Sequence, residues 1–261
     1  MTDARFLLGR HAIVTGGGQG IGAAVASELA RLGADVTIMG RDQGRLDAHA
    51  ALVAKSHGVK VAAVRCDVSD AASVADAFRT ARERLGAPYV LVNNAGQAEG
   101  AAFTQTTLAL WDRLIAVNLT GTFLCMQQVV PAMIEAKAGR IVNIASISGL
   151  VAFQKVAAYT ASKHGVIGLT KVVALETAAH GVTVNAVCPA YVDTAMAEQA
   201  VQNLMKAGKT KEEATKMIVR SIPRGSLITP AEVADAVAWL CSPGASGVTG
   251  ESLKVAGGGA L

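Results

Sequence analysis

Tyr159 and Lys163 stand four residues apart in a run whose apolar spacing predicts a helix over Tyr159–His180. Residues at i and i+4 share one helix face. A phenol with an ordinary pKa near 10 is a weak base at neutral pH, and a neighbouring ammonium favours its ionised form. Bringing it to about 7 takes roughly 4 kcal/mol of differential stabilisation. One charge in a partly dry cleft, with hydrogen bonds, supplies that order. A tyrosine so placed passes a proton to or from a substrate oxygen. Ser146, upstream at the end of an apolar strand, offers a hydroxyl, and Ser148 rivals it by chemistry. Strand alternation predicts that the two serines share a face. Asn118 sits inside the apolar stretch Leu114–Leu119, where a mid-helix amide is locally unfavourable. Taken alone, the Tyr–Lys pair reads more readily as a solvated helix face, and Asn118 also reads as a satisfied structural amide.

The second chemical feature is Thr15-Gly16-Gly17-Gly18-Gln19-Gly20-Ile21-Gly22, between a short apolar run and a helical stripe. Glycine permits a tight turn and lets a pyrophosphate approach the backbone. The helix that follows offers free N–H groups and the positive end of its dipole. By itself the loop is also a plain strand-to-helix turn.

These residues need a scaffold, and its pattern is legible. Short apolar runs at His11–Thr15, Asp35–Met39, Val59–Val64, Tyr89–Val92, Arg140–Ala145, Val182–Val187 and Ser252–Ala256 predict seven strands. Helical stripes alternate with them: from Ile21 to Leu32, Arg41–His57, Ser69 or Asp70 to Leu85, one long helix from about Thr107 to Glu135, Tyr159–His180, and Thr229–Leu240. Near-continuously apolar strands alternating with helices signify a parallel sheet buried on both faces. The expectation is an α/β chain, residues 1–261 forming one domain with a doubly wound seven-stranded parallel sheet and helices on both faces. Asp193–Arg224 is an insertion expected to lie over the carboxyl edge as a lid, at about 193–224.

In that order along the chain, Thr15-Gly16-x-x-x-Gly20-x-Gly22, Asp67-Val68, Asn93-Asn94-Ala95-Gly96, Asn118, Ser146, Tyr159-x-x-x-Lys163 and Cys188-Pro189-Ala190-Tyr191-Val192-Asp193-Thr194 resemble the short-chain dehydrogenase/reductase family, in its roughly 250-residue branch. The resemblance spans nearly the whole chain. It implies a Rossmann fold and reversible hydride transfer between a nicotinamide and a secondary alcohol or ketone. It implies Tyr159 as general acid/base, Ser146 on the reacting oxygen, Lys163 on the nicotinamide ribose and lowering the Tyr159 pKa, and Asn118 kinking its helix and holding a relay water. Gly16, Gly18, Gln19, Gly20, Ile21, Arg41, Asp67, Val68, Asn94, Ala95, Gly96, Pro189, Val192 and Thr194 are the implied cofactor contacts, with Tyr159 and Lys163. Asp67 also reads as a cap or turn residue. The family usually has Gly where Ala190 stands, and Ala tolerates positive φ less well. Gln97, Ser148, Gln154, Tyr191 and Met196 are the expected substrate pocket.

The second strand ends Gly40-Arg41-Asp42. An acid at that end binds a ribose 2′-OH and repels a 2′-phosphate, whereas arginine suits a phosphate. The expected cofactor is NADP(H), with NAD(H) as the alternative if Asp42 points inward. Gln19 stands where many NADP-type members carry a basic residue. The lid from Lys206 to Arg224 holds six cations against Glu212 and Glu213; it reads either as a solvated helix with Glu212–Lys216 as an i,i+4 pair or as a basic rim that would steer an anionic carrier. The segments Lys171–Thr194 and Gly250–Gly258 look similar to 3-oxoacyl reductases and 3-hydroxybutyrate dehydrogenases. A small free acid is disfavoured, because Ser148 and Val156 replace the His and Lys those butyrate enzymes use. A free hydrophobic or aromatic ketone is the alternative substrate, and a dinucleotide-sensing regulator the remote alternative function.

Composition excludes other classes. With 51% hydrophobic and 17% charged residues, intrinsic disorder is out. A net charge of +4 without a basic stripe argues against nucleic acid. Cys66, Cys125, Cys188 and Cys241 are widely spaced in apolar stretches and read as buried thiols; no ligand spacing for a metal is seen. Met1–Arg5 precedes the first strand without an apolar leader core, and no uncharged run is long enough to span a bilayer. A cytoplasmic homotetramer taking a small-molecule substrate, with no membrane partner, is the expectation.

Overall fold

A computed structural model describes residues 5–220 and 222–259. The Met1–Ala4 stretch read above, Ser221 within the lid, and the last two residues lie outside them. Seven parallel strands alternate with helices: β1 His11–Thr15, α1 Gly20–Arg31, β2 Asp35–Gly40, α2 Gln43–His57, β3 Val61–Arg65, α3 Ala71–Leu85 and β4 Pro88–Asn93. There follow α4 Leu108–Ile115, α5 Gly121–Gln127, α6 Val130–Glu135, β5 Gly139–Ile144, α7 Ala157–Thr177, β6 Val182–Pro189, α8 Ala195–Lys206, α9 Lys211–Arg220, α10 Pro230–Cys241 and β7 Ser252–Val255. The sheet order is β3-β2-β1-β4-β5-β6-β7. The order reverses between β1 and β4, which opens a crevice at their carboxyl ends.

Alternation along the strands feeds two cores. Val14, Ile38, Val92 and Val142 pack with Leu29 of α1, Leu46 of α2 and Val237 of α10. Ile13, Leu91, Ile141 and Val184 pack with Phe78 of α3, Met126 of α5 and Ala174 of α7. Each fully buried side chain of the size of Phe78 or Ile13 contributes about 1.5–3 kcal/mol. Caps set the helix starts. Asp42 accepts the Arg45 N–H at 3.0 Å, so α2 begins at Gln43 rather than Arg41. Asp70, not Ser69, caps α3. Thr229 and Glu232 form a reciprocal capping box on α10.

The long helix expected over 107–135 is broken twice. Ala116–Thr120 is a π-helical turn in which the Gly121 N–H reaches back to the Ala116 carbonyl. A Cβ at Gly121 would stand 2.9 Å from Val68, so this helix abuts the β3–α3 loop there. The second break precedes α6, where Pro131 occupies the first turn and has no N–H to give. The expected kink at Asn118 is therefore a π turn. The stretch Leu108–Gln127 is long and apolar enough by composition to cross a membrane; here Leu114, Asn118, Cys125 and Met126 are buried within the domain. The third strand starts at Val61, two residues later than expected, because Gly58 ends α2 in the left-handed region at φ +67°.

Candidate active site

The glycine loop is locked to the end of β4. Thr15 Oγ1 accepts the N–H groups of Asn94 and Ala95 at 3.0 and 3.1 Å. Asn94 Nδ2 donates to the carbonyls of Thr15 and Gly16 at 2.9 and 3.2 Å. Gly16 takes φ +66°, and a Cβ on it would meet that Nδ2 at 2.8 Å. Gly22 has no room either, since its Cβ would stand 2.2 Å from the Gly16 carbonyl. Gln19 is the N-cap of α1 in extended conformation, and its side chain makes no capping bond. The leading N–H groups of α1 are thus left for an anion.

From this loop a cleft of about 320 Å³ runs along the carboxyl edge. Gly16, Gly18, Gln19, Arg41, Asp67, Val68, Ala95 and Gly96 line it as expected. Gln97, expected in the substrate pocket, lies on its wall, as do Gly40 and Asp42, weighed above at the end of the second strand, and Met39, Arg45, Leu46, Cys66 and Val117, which sequence reasoning missed. Arg45 had a signal: the Asp42-x-x-Arg45 spacing places it in the first turn of α2, where side chains point back over the preceding loop. Asp67 accepts from the Ser69 hydroxyl at 2.6 Å and from its N–H at 3.0 Å, and these bonds hold its carboxyl below the usual range. Burial pushes the Cys66 thiol up to about 11. Ile21 is not on the cleft wall; its side chain packs against the α1–α10 core.

At the other end of the cleft, four polar residues meet. Lys163 is buried on α7 and donates to the Ile144 carbonyl at 2.7 Å. Its Nζ lies 5.8 Å from the Tyr159 ring centroid. Ser146 follows β5, and its Oγ accepts the Ser148 N–H at 3.1 Å. Ile147–Gly149 is a 3₁₀ turn, so the strand alternation expected to put both serines on one face does not operate. Asn118 is fully buried; its Nδ2 donates to Ser162 Oγ at 3.0 Å.

The electrostatics differ from the expectation in one respect. Burial pushes the Tyr159 phenol up, while a hydrogen bond with Ser146 pulls it back. Burial also draws the Lys163 ammonium, 5.8 Å from the ring centroid, down to about 8. The arrangement therefore presents a protonated phenol beside a hydroxyl, suited to donating a proton to a carbonyl oxygen.

Comparison with known proteins agrees with this geometry. Residues 10–205 match the model of the short chain dehydrogenase family. The chain belongs to that family. It is 41% identical to the putative ketoacyl reductase 1 of the granaticin polyketide synthase of Streptomyces violaceoruber, over 95% of this chain and 92% of that one. It is 38% identical to the 3-oxoacyl-[acyl-carrier-protein] reductase of Aquifex aeolicus, over 97% and 98%. A crystal structure of an actinorhodin polyketide ketoreductase variant with NADPH superposes with a TM-score of 0.92 at 38% identity, covering 100% and 99% of the two chains. As a short-chain dehydrogenase, the protein is an NAD(P)-dependent oxidoreductase acting on secondary alcohols and ketones.

The family's dinucleotide fits the residues present. Glycine backbone lines one stretch of the cleft, cations stand at one end, and Gly96 lies at the other, where a Cβ would be 3.7 Å from Lys163 Nζ. Thr194 reaches the glycine loop, its Cγ2 3.3 Å from where a Cβ of Gly20 would be. Pro189 ends β6. Ala190 needs no glycine, since Lys137 and Lys155 are the positive-φ non-glycine residues among those described. Val192 bridges to Ile228. The segment expected as a lid is two helices, α8 and α9, packed through Val201, Ala214 and Ile218. Of the remaining expected pocket residues, Ser148 is buried, Gln154 lies in an exposed loop, and Tyr191 and Met196 are 40% and 46% exposed. The basic rim is weaker than expected. Lys211 pairs with Glu198 at 3.8 Å, Lys216 with Glu212 at 2.6 Å, and Arg224 with Glu232.

Proposed function

We propose that the protein is an NADP(H)-dependent ketoreductase for a hydrophobic ketone of more than four carbons. The observation that carries the cofactor reading is the state of Asp42. Its carboxylate, on the cleft wall, is engaged in capping α2 and facing Arg45, 3.8 Å from Nε, and Arg41 lines the same wall. The nicotinamide, when bound, supplies the hydride. Tyr159 gives its proton to the substrate oxygen, Ser146 donates a hydrogen bond to the same oxygen, and Lys163 holds the nicotinamide ribose. Asn118 positions the loop that carries Gly96 and Gln97. The apolar side chains of Val151 and Phe153 beyond β5, and of Tyr191 and Met196 beyond β6, are exposed at neighbouring points of the carboxyl edge. They support a hydrophobic substrate body.

A second reading is a 3-oxoacyl thioester on an anionic carrier. Lys206, Lys209 and Arg220 favour it, for they stand outside the lid's ion pairs among the described residues. The similarity to ketoacyl reductases favours it as well. The test compares kcat/KM for a 3-oxoacyl-CoA and the matching free ketone, with NADPH and with NADH, at low and high salt. An advantage of the CoA form that vanishes at high salt supports the carrier; equal rates at low salt leave the free ketone. A clear NADH preference overturns the cofactor reading. We also propose a homotetramer, supported by exposed Leu108 and Trp111 on α4, Phe123 on α5, and Val172 and Leu175 on α7. A light-scattering mass of one chain would overturn it.

A further inference from the structure

We propose that Arg45 is a specificity-determining residue, completing recognition of the cofactor's 2′-phosphate together with Arg41. The inference rests on the NADP(H) reading and deepens it. The Cγ and Cδ atoms of Arg45 lie 3.5 and 3.7 Å from where a side chain on Gly18 would begin. The stem of Arg45 therefore lies along the glycine loop rather than out in solvent. Its guanidinium donates to Gln19 Oε1, and the side chain remains 53% exposed, within reach of a ligand in the cleft.

Three features make this a phosphate contact rather than a loop clamp alone. Guanidinium carries five donors in a fixed fork. Gln19 is a neutral acceptor, so the charge is not cancelled on that side. Asp42 balances part of it from the helix start, 3.8 Å from Nε, but accepts the Arg45 N–H with its other oxygen. Arg41 and Arg65 both lower the Asp67 carboxyl, and Arg41 lines the cleft with it. The two acids here, Asp42 and Asp67, are each already engaged, Asp42 at the start of α2 and Asp67 with Ser69, while Arg41 and Arg45 keep donors for a ligand. A phosphate near −2 gains from those charged donors, and an uncharged ribose 2′-OH gains little. Arg45 also supplies the cation that position 19, a glutamine, does not.

The test is the binary dissociation constant of NADPH and of NADH, by fluorescence titration at low salt, for the parent, Arg45→Ala, Arg45→Lys and Arg41→Ala. Arg45→Ala is expected to weaken NADPH by roughly tenfold or more while NADH stays within about twofold, with Arg45→Lys between. NADH binding also reports that the variant's site is folded. If Arg45→Ala weakens both cofactors alike, or neither, while the parent favours NADPH and Arg41→Ala loses that preference, the NADP(H) reading stands and the role of Arg45 falls. If the parent binds NADH more tightly, both fall.

Discussion

Asn118 grips the backbone of Gln97 from both sides, accepting its N–H at 2.8 Å and donating to its carbonyl at 2.9 Å. The same Nδ2 reaches Ser162 Oγ, which donates to the Tyr159 carbonyl at 2.7 Å. One buried amide thus ties the cofactor cleft to the catalytic helix. The main-chain carbonyl of Asn118 accepts from Thr122 Oγ1 at 2.8 Å. Asn118→Ala removes the grip and leaves buried backbone groups without partners, at about 1–3 kcal/mol. NADPH affinity and kcat are each expected to fall about tenfold, and the melting midpoint by several degrees. Loss of kcat with unchanged affinity and midpoint would instead assign Asn118 to proton relay.

Tyr159→Phe keeps the ring and removes the proton. Turnover is expected to fall roughly 10²–10⁴-fold, with NADPH affinity nearly unchanged; activity within tenfold of the parent would sink the assignment. Ser146→Ala removes both the hydroxyl beside Tyr159 and the acceptor for the Ser148 N–H. It is expected to lose at least about a hundredfold in kcat. Ser148→Ala should cost less than tenfold, since Ser148 engages that bond through its backbone alone.

The sheet, the glycine loop and the shared face of Tyr159 and Lys163 were legible because each follows from local pattern. The π turn was not. The apolar spacing runs on through Val117 and Leu119, and the register changes where Gly121 meets Val68, a tertiary contact. The Ser146–Ser148 relation failed because the strand stops at Ile144 and a 3₁₀ turn takes over. The Asp42-x-x-Arg45 spacing signals a place in the first turn of α2, but the use of Arg45 depends on how that turn faces the glycine loop, which spacing does not report. The stretch from Lys206 to Arg224 carries less free charge than its sequence implies because Glu198 and Glu232, outside it, meet Lys211 and Arg224 only in the fold. The direction for Tyr159 depended on burial, which spacing does not report.

His11 opens β1 as a buried histidine, with Nδ1 2.8 Å from the Gly86 carbonyl and Nε2 2.8 Å from Thr37 Oγ1. The neutral ring satisfies both partners, donating to the first and accepting from the second. Burial lowers its pKa below the ordinary 6.5. As pH falls through 6.5 the unfolded chain takes up a proton that the folded chain resists, so stability declines there. The melting midpoint is expected to drop between pH 7 and 5. His11→Asn should lower the midpoint at pH 7 but flatten that slope. An unchanged slope would place the acid sensitivity elsewhere.

Lys163 is 5% exposed, and burial draws its ammonium from 10.5 down to about 8. One consequence is kinetic. If the charge holds the ribose, kcat/KM for reduction falls above about pH 8, since that ratio reports the free enzyme. The other is thermodynamic. Between about pH 8 and 10.5 the unfolded chain keeps a proton that the folded chain has lost, so folded stability rises with pH across that window. Below 8 both states carry the charge, and the folded protein bears the whole cost of a buried ammonium whose one hydrogen-bond acceptor among the described residues is the Ile144 carbonyl. Lys163→Met should therefore be inactive yet melt higher than the parent at pH 7, by at least about 2 °C. Its advantage should shrink as pH rises through 8 toward 10. Other alkaline titrations are common to both proteins and cancel in the difference. A variant that melts lower at pH 7, with a gap constant in pH, would mean that the Ile144 bond outweighs the desolvation and that Lys163 stabilises the fold it was expected to strain.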